Sequence, residues 1–208
     1  IMVPVLLLSG YVHAHDFGRH NQPITQPYAS KISSKLEFLK KAPYDEKAYQ
    51  LSYKTLIYNA HMMDAYQLAL IAVAKAPDDL SWHEALAQSA GWVGDYNTSM
   101  SQWLYVAQHT KEIKTIKKAA SLATLLGYDE VSIPILKLYL SKEPDAFSEM
   151  LDLARAENRI NQAQKAIQTL NALDAKHPTR EAVELMAKVY QDMDQWDEAL
   201  LIWKKMDA

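Results

Sequence analysis

The sequence contains no cysteine. Disulfide frameworks and thiolate metal sites are excluded, while the redox compartment stays open because a disulfide-free chain can live anywhere. Glycine is also scarce, with five in 208 residues, which speaks against turn-rich sheets. Neither sign of charge dominates: the formal net charge is −3, so no global basic field exists to hold nucleic acid or an anionic membrane. Catalytic signatures are missing too. There is no phosphate-binding glycine loop, no His-Glu-x-x-His, no serine elbow and no framed pair of carboxylates, so no enzyme, cofactor or metal site is expected.

What is present is an ordinary globular balance, 49% apolar and 23% charged, which is enough to build a core. Tryptophan, tyrosine, alanine and leucine are plentiful, and that favours helices packed through aromatic side chains. All-α is the expected class.

The first fourteen residues, IMVPVLLLSGYVHA, stand apart. An apolar run from Ile1 to Leu8 leads into small and polar residues ending at Ala14, the form of a secretory signal peptide cleaved after Ala14. A membrane anchor continuing upstream, or a buried helix or strand, are the other readings of such a run. The basic leader is missing and the chain does not begin with methionine, so its true start is expected upstream. Residues 15–42 read as a linker with one short helix at KISSKLEFLKKA. After cleavage His15 would become an amino-terminal residue with His13, Asp16 and His20 near it in sequence. A copper site there lacks further ligands and is not expected. His61, His83, His109 and His177 are scattered and read as surface or helix-end residues.

From Pro43 onward a ruler appears. Pro43, Pro77, Pro144 and Pro178 stand 34, 67 and 34 residues apart, and Gly94 and Gly127 stand 33 apart. A period near 34 predicts pairs of helices joined by a turn, since such a pair cannot bury its shared apolar face without stacking on the next. The expected repeats are 43–76, 77–110, 111–143, 144–177 and 178–208. In the second, Leu86 and Ala87 form the large-small pair of the first helix, Gly94 makes the turn, and Tyr96 and Trp103 fill apolar positions of the second helix. In the last, Met186, Ala187, Tyr190, Trp196, Ala199 and Trp203 repeat the pattern, with Asp194 in the glycine's place. The fourth repeat has Leu153 and Ala154 as its pair, and its register could slide by one turn. Asp78 or Asp79 can cap the helix after Pro77, and Ser81 to Glu84 has capping-box spacing one turn later.

This pattern resembles the tetratricopeptide superfamily over residues 43–208, which implies a right-handed α-solenoid of about five repeats that binds other proteins. The phrase LAQSAGWVGDYNTSMSQWLYVA is further similar to the repeats of periplasmic scaffolds fused to Pel-type exopolysaccharide export pores. That closer resemblance implies a scaffold in a bacterial envelope assembly, periplasmic or associated with the outer membrane. No pore-forming strands are present, and the final WDEALLIWKKMDA ends where another repeat is expected. The alternative is a free-standing adaptor or chaperone capturing peptides. The family's clamp for acidic peptide tails needs a lysine and an asparagine one turn apart, whereas Lys117 is followed by Ser121.

Helix positions not needed for the core pair must face the partner or solvent. Glu84, Gln88, Trp92, Lys114, Lys117, Arg155 and Lys188 occupy them on the first helices of successive repeats, and their mixed charge suggests a protein partner. Trp92 could equally pack against the next repeat. The lysines of KEIKTIKKAA, including Lys114, Lys117 and Lys118, usually mark a solvated helix start and leave open a local anionic site. The aromatic stripe could also contact polysaccharide, but Tyr96, Trp103, Tyr190, Trp196 and Trp203 read first as core residues.

Overall fold

The computed structural model describes residues 36–206, among which there are eleven helices and no strand. The expectations about residues 1–14, the linker to residue 35 and the histidines at 13, 15 and 20 lie outside the described residues. The chain divides into two units at Val106, within the fifth helix.

In the first unit, α1 (Glu37–Lys41) precedes α2 (Glu46–Tyr58), α3 (Met62–Lys75) and α4 (Leu80–Val93), and α5 (Tyr96–Thr110) begins there. The second unit continues from α5 into α6 (Ile113–Leu125), α7 (Asp129–Leu140), α8 (Phe147–Arg159), α9 (Ala163–Lys176), α10 (Arg180–Asp192) and α11 (Trp196–Met206). From α2 onward the helices form five successive pairs of the tetratricopeptide type.

Four helix starts, those of α2, α4, α5 and α10, are capped by side chains. The carboxylate of Asp45 accepts from the Ala48 amide, that of Asp95 from Thr98, and the hydroxyl of Thr179 from Ala182. Asp79 caps α4 by accepting from the Ser81 amide and hydroxyl, at 2.9 and 2.6 Å. The capping box expected at Ser81 does not form, because Ser81 is already inside the helix that Asp79 started. Each such cap satisfies an amide the helix leaves orphaned.

All five turns within the pairs share one backbone device. A residue with positive φ stands at Ala60 (59°), Gly94 (83°), Gly127 (72°), Asn161 (60°) and Asp194 (58°). The amide after it returns to the carbonyl five residues back: His61 to Leu56, Asp95 to Ala90, Tyr128 to Ala123, Gln162 to Glu157 and Gln195 to Tyr190, at 2.8–2.9 Å. This is the hydrogen bond that closes a helix on a left-handed residue. Seven residues before the turn residue stands a buried alanine in four of the five pairs, namely Ala87, Ala120, Ala154 and Ala187. The fourth pair is therefore in register with Ala154, without a slip.

Small residues also bring helices close. A Cβ at Gly91 would lie 3.3 Å from Ser99 Oγ on α5, and that hydroxyl donates to the Ala87 carbonyl at 2.7 Å. Under the second turn, the buried carboxylate of Asp95 accepts from Tyr66 Oη at 2.8 Å and from the Thr98 hydroxyl at 2.7 Å. Burial first, then Asp95, pushes the Tyr66 phenol up to about 12.

Trp103, Ala187 and Ala199 are buried and Trp203 is half-buried. Two aromatic positions depart from the core reading: Tyr96 is 45% exposed and Trp196 is 61% exposed. Each opens the second helix of its pair, where the Cα–Cβ bond tilts back toward the helix N-terminus. The side chain is thereby aimed over the turn instead of onto a neighbouring helix.

Candidate interaction surface

The first helix of each pair has one buried side and one open side. In the first unit the buried side of α2 and α4 is aromatic. Trp82 is in the core and donates from Nε1 to Tyr44 Oη at 2.6 Å, and the rings of Tyr49 and Tyr53 meet it edge to face at 6.2 and 5.7 Å. Tyr53 Oη donates to the Ala85 carbonyl on α4 at 2.8 Å. Edge contacts of this kind contribute about 0.5–1.5 kcal/mol each beyond burial. They fix α2 on α4 from one side, and the exposed residues of both helices lie on the other.

That other side carries Glu84, Gln88 and Trp92 on α4. All three are exposed, Trp92 by 45%, and neither Glu84 nor Gln88 makes a hydrogen bond or ion pair among the described residues. On α2 the open side carries Lys47, Leu51, Lys54 and Tyr58, which sequence reasoning passed over. Leu51 is 69% and Tyr58 90% exposed. The signal was available, because Tyr58 precedes the turn residue Ala60 by two positions as Trp92 precedes Gly94. Weak turn chemistry at Ala60 hid that register.

The open side of the second unit behaves differently. Lys117 Nζ lies 2.7 Å from the buried carboxylate of Glu149 on α8 and 5.6 Å from the Tyr139 ring centroid. Its hydrogen bond and charge contact with Glu149 hold the ammonium above its ordinary pKa. Arg155 bridges Asp152 at 3.3 Å and Glu181 of α10 at 2.6 Å, and Asn158 donates to Asp192 at 2.7 Å. Arg159 meets Asp129 of α7 through two nitrogens, at 2.8 and 2.6 Å. Glu157, buried, accepts from Lys137 and from Thr169, both at 2.8 Å. Of the basic residues singled out in sequence, Lys117 and Arg155 therefore join one repeat to the next, while Lys114 and Lys188 are exposed and unpaired among the described residues.

Among the described residues no group of three or more histidines, aspartates and glutamates is placed to hold a metal ion. His83 is not a surface residue: it is buried, with Nδ1 2.6 Å from Gln102 Oε1, Nε2 2.7 Å from the Pro77 carbonyl, and its ring stacked 4.0 Å from Tyr105. The Tyr105 ring covers it from α5, and both nitrogens find partners. No described helix is long and apolar enough to cross a membrane.

The sequence matches no protein-family model and no curated protein. Solved structures of MamA resemble the fold. MamA MSR-1 superposes with a TM-score of 0.59 at 15% identity, covering 76% of this chain and 92% of its own. MamA AMB-1 gives 0.59 at 15%, covering 77% and 88%. MamA from Desulfovibrio magneticus RS-1, residues 41 to the end, gives 0.56 at 13%, covering 79% and 94%. The closer resemblance drawn from the second repeat to exopolysaccharide export proteins finds no support in these structures. At this identity the likeness concerns the fold, and the described chain is an all-α, tetratricopeptide-like solenoid.

Proposed function

We propose that the chain is a non-catalytic protein-interaction scaffold whose partner docks on the open side of the first helices in the first unit, anchored by Trp92. The observation that carries this reading is an exposed tryptophan next to unpaired Glu84 and Gln88 on a helix already secured from its other side. A large amphipathic ring with free polar neighbours is the composition of an interface centre. In the second unit Lys117 and Arg155 are engaged in holding repeats together, which narrows the surface first expected from sequence.

The test compares wild-type and Trp92→Ala chains as baits, followed by titration of a recovered partner. Loss of an aromatic anchor costs about 2 kcal/mol, roughly a thirtyfold weaker Kd, with helical content unchanged. Equal affinity of both baits for the same partner would remove Trp92 from the interface.

The proposal extends to an exported setting within a bacterial envelope assembly. Its support is the apolar run from Ile1 to Leu8 with small residues up to Ala14. Sequencing the N-terminus of protein recovered from its native cell decides it: a mature chain starting at His15 in an envelope fraction supports export, and a cytoplasmic chain retaining residues 1–14 removes it.

A further inference from the structure

Beyond the exposed tryptophan, the chemistry of α2 describes its partner more closely. Lys47, Leu51, Lys54 and Tyr58 follow one another at intervals of four, three and four residues, so they form a single stripe along the helix. The opposite face is the one bearing the buried Tyr49 and Tyr53. Leu51 and Tyr58 are large, apolar and uncovered. Lys47 and Lys54 face no carboxylate among the described residues, whereas Lys40, Lys117, Lys137 and Lys176 each have one at 2.7–3.1 Å. The stripe thus alternates two free ammonium groups with two bare apolar groups.

We infer that this stripe takes a protein segment in which acidic residues are interleaved with large apolar side chains. The inference rests on the docking face described above and specifies the class of its occupant. Charge complementarity is the argument. The two lysines are seven residues apart, which is about 10 Å along a helix, and Leu51 and Tyr58 are separated by the same rise. A helical segment meets that spacing with acidic residues about seven apart. An extended one, at about 3.3 Å per residue, meets it with acidic residues about three apart. On α4 the next row carries Glu84, which opposes a second acidic row and confines the preference to α2. Two lysines in a chain of net charge −3 do not make the continuous basic track that nucleic acid needs.

The experiment selects binders to the full chain from a phage-displayed random peptide library, in parallel on wild type, Trp92→Ala and the double variant Lys47→Glu, Lys54→Glu. Circular dichroism checks that the exposed substitutions leave each chain folded. Wild type is expected to enrich peptides with paired Asp or Glu at these spacings beside Leu or aromatic residues. The charge-reversed chain should bind those peptides roughly tenfold more weakly or worse and should itself enrich Lys and Arg. Peptides that depend on Trp92 but carry no acidic bias would overturn the inferred class and leave the docking face standing. So would an acidic bias that survives charge reversal. Binders indifferent to all three positions, or none at all, would overturn the docking face itself.

Discussion

Replacing Ala60 with glycine is expected to stabilise the protein. Ala60 holds φ 59° to close α2, a left-handed conformation that costs an L-residue roughly 1–2 kcal/mol. Glycine removes that strain but gives the unfolded chain more freedom, an offset of about 0.5–1 kcal/mol. The net gain is about 0.5–1 kcal/mol, or roughly 1–4 °C in Tm for a chain of this length. The mirror experiment is Gly94→Ala. A Cβ on Gly94 meets no atom within 4 Å, so its cost is conformational alone and should be about equal and opposite, with Gly94→Val costing more because branching at Cβ tightens the restriction. Urea unfolding followed by circular dichroism at 222 nm measures both. If Ala60→Gly were destabilising while Gly94→Ala was neutral, the shared-turn argument would be wrong.

Other substitutions probe the polar interior. Asp95→Ala should cost about 2–4 kcal/mol, roughly 1 for the lost cap and 1–3 for the Tyr66 hydroxyl left unpaired, and adding Tyr66→Phe should restore part of it in the same urea assay. Between Lys137 and Glu157, Lys137→Met should cost more, about 3 kcal/mol against about 1 for Glu157→Gln, because the first strands a buried carboxylate and the second leaves an ammonium that water can reach; the opposite order would refute the assignment of burial. Lys176 beside Asp145 holds its carboxyl below the usual range, so this pair contributes above the ordinary carboxylate pKa of about 4 and is lost as pH falls through the lower folded value. The deficit of Asp145→Asn at pH 7 should accordingly close as pH falls below the ordinary carboxylate range, and a deficit independent of pH would exclude the pair as its cause.

The repeat was legible because proline and glycine mark backbone requirements directly. Gly94 and Gly127 announced two turns, and the spacing of Pro43, Pro77, Pro144 and Pro178 supplied the period. Asp194 could be placed only by aligning the last repeat on the second, and the turns at Ala60 and Asn161 were not announced, because the backbone hydrogen bond that closes them is indifferent to the side chain once φ is positive. Tyr96 and Trp196 misled for a related reason. Periodicity reports which face of a helix a residue occupies, but at the first turn the side chain leans back past the end of the packed surface. The site was less readable still. Sequence showed Lys117 and Arg155 on the open side of their helices, and only coordinates could show carboxylates from neighbouring helices already waiting for them.

The contrast between the two open faces sets how each can change over generations. A substitution at Lys47, Leu51, Glu84, Gln88 or Trp92 breaks no side-chain hydrogen bond or ion pair among the described residues, so lineages can drift through new binding preferences there without first repairing a polar tie. At Lys117, Arg155 or Arg159 the same step severs a tie between repeats, and a change there is best tolerated with a second one at Glu149, Glu181 or Asp129. Variation among descendants of this chain should therefore be free and independent along α2 and α4, and paired along α6 and α8.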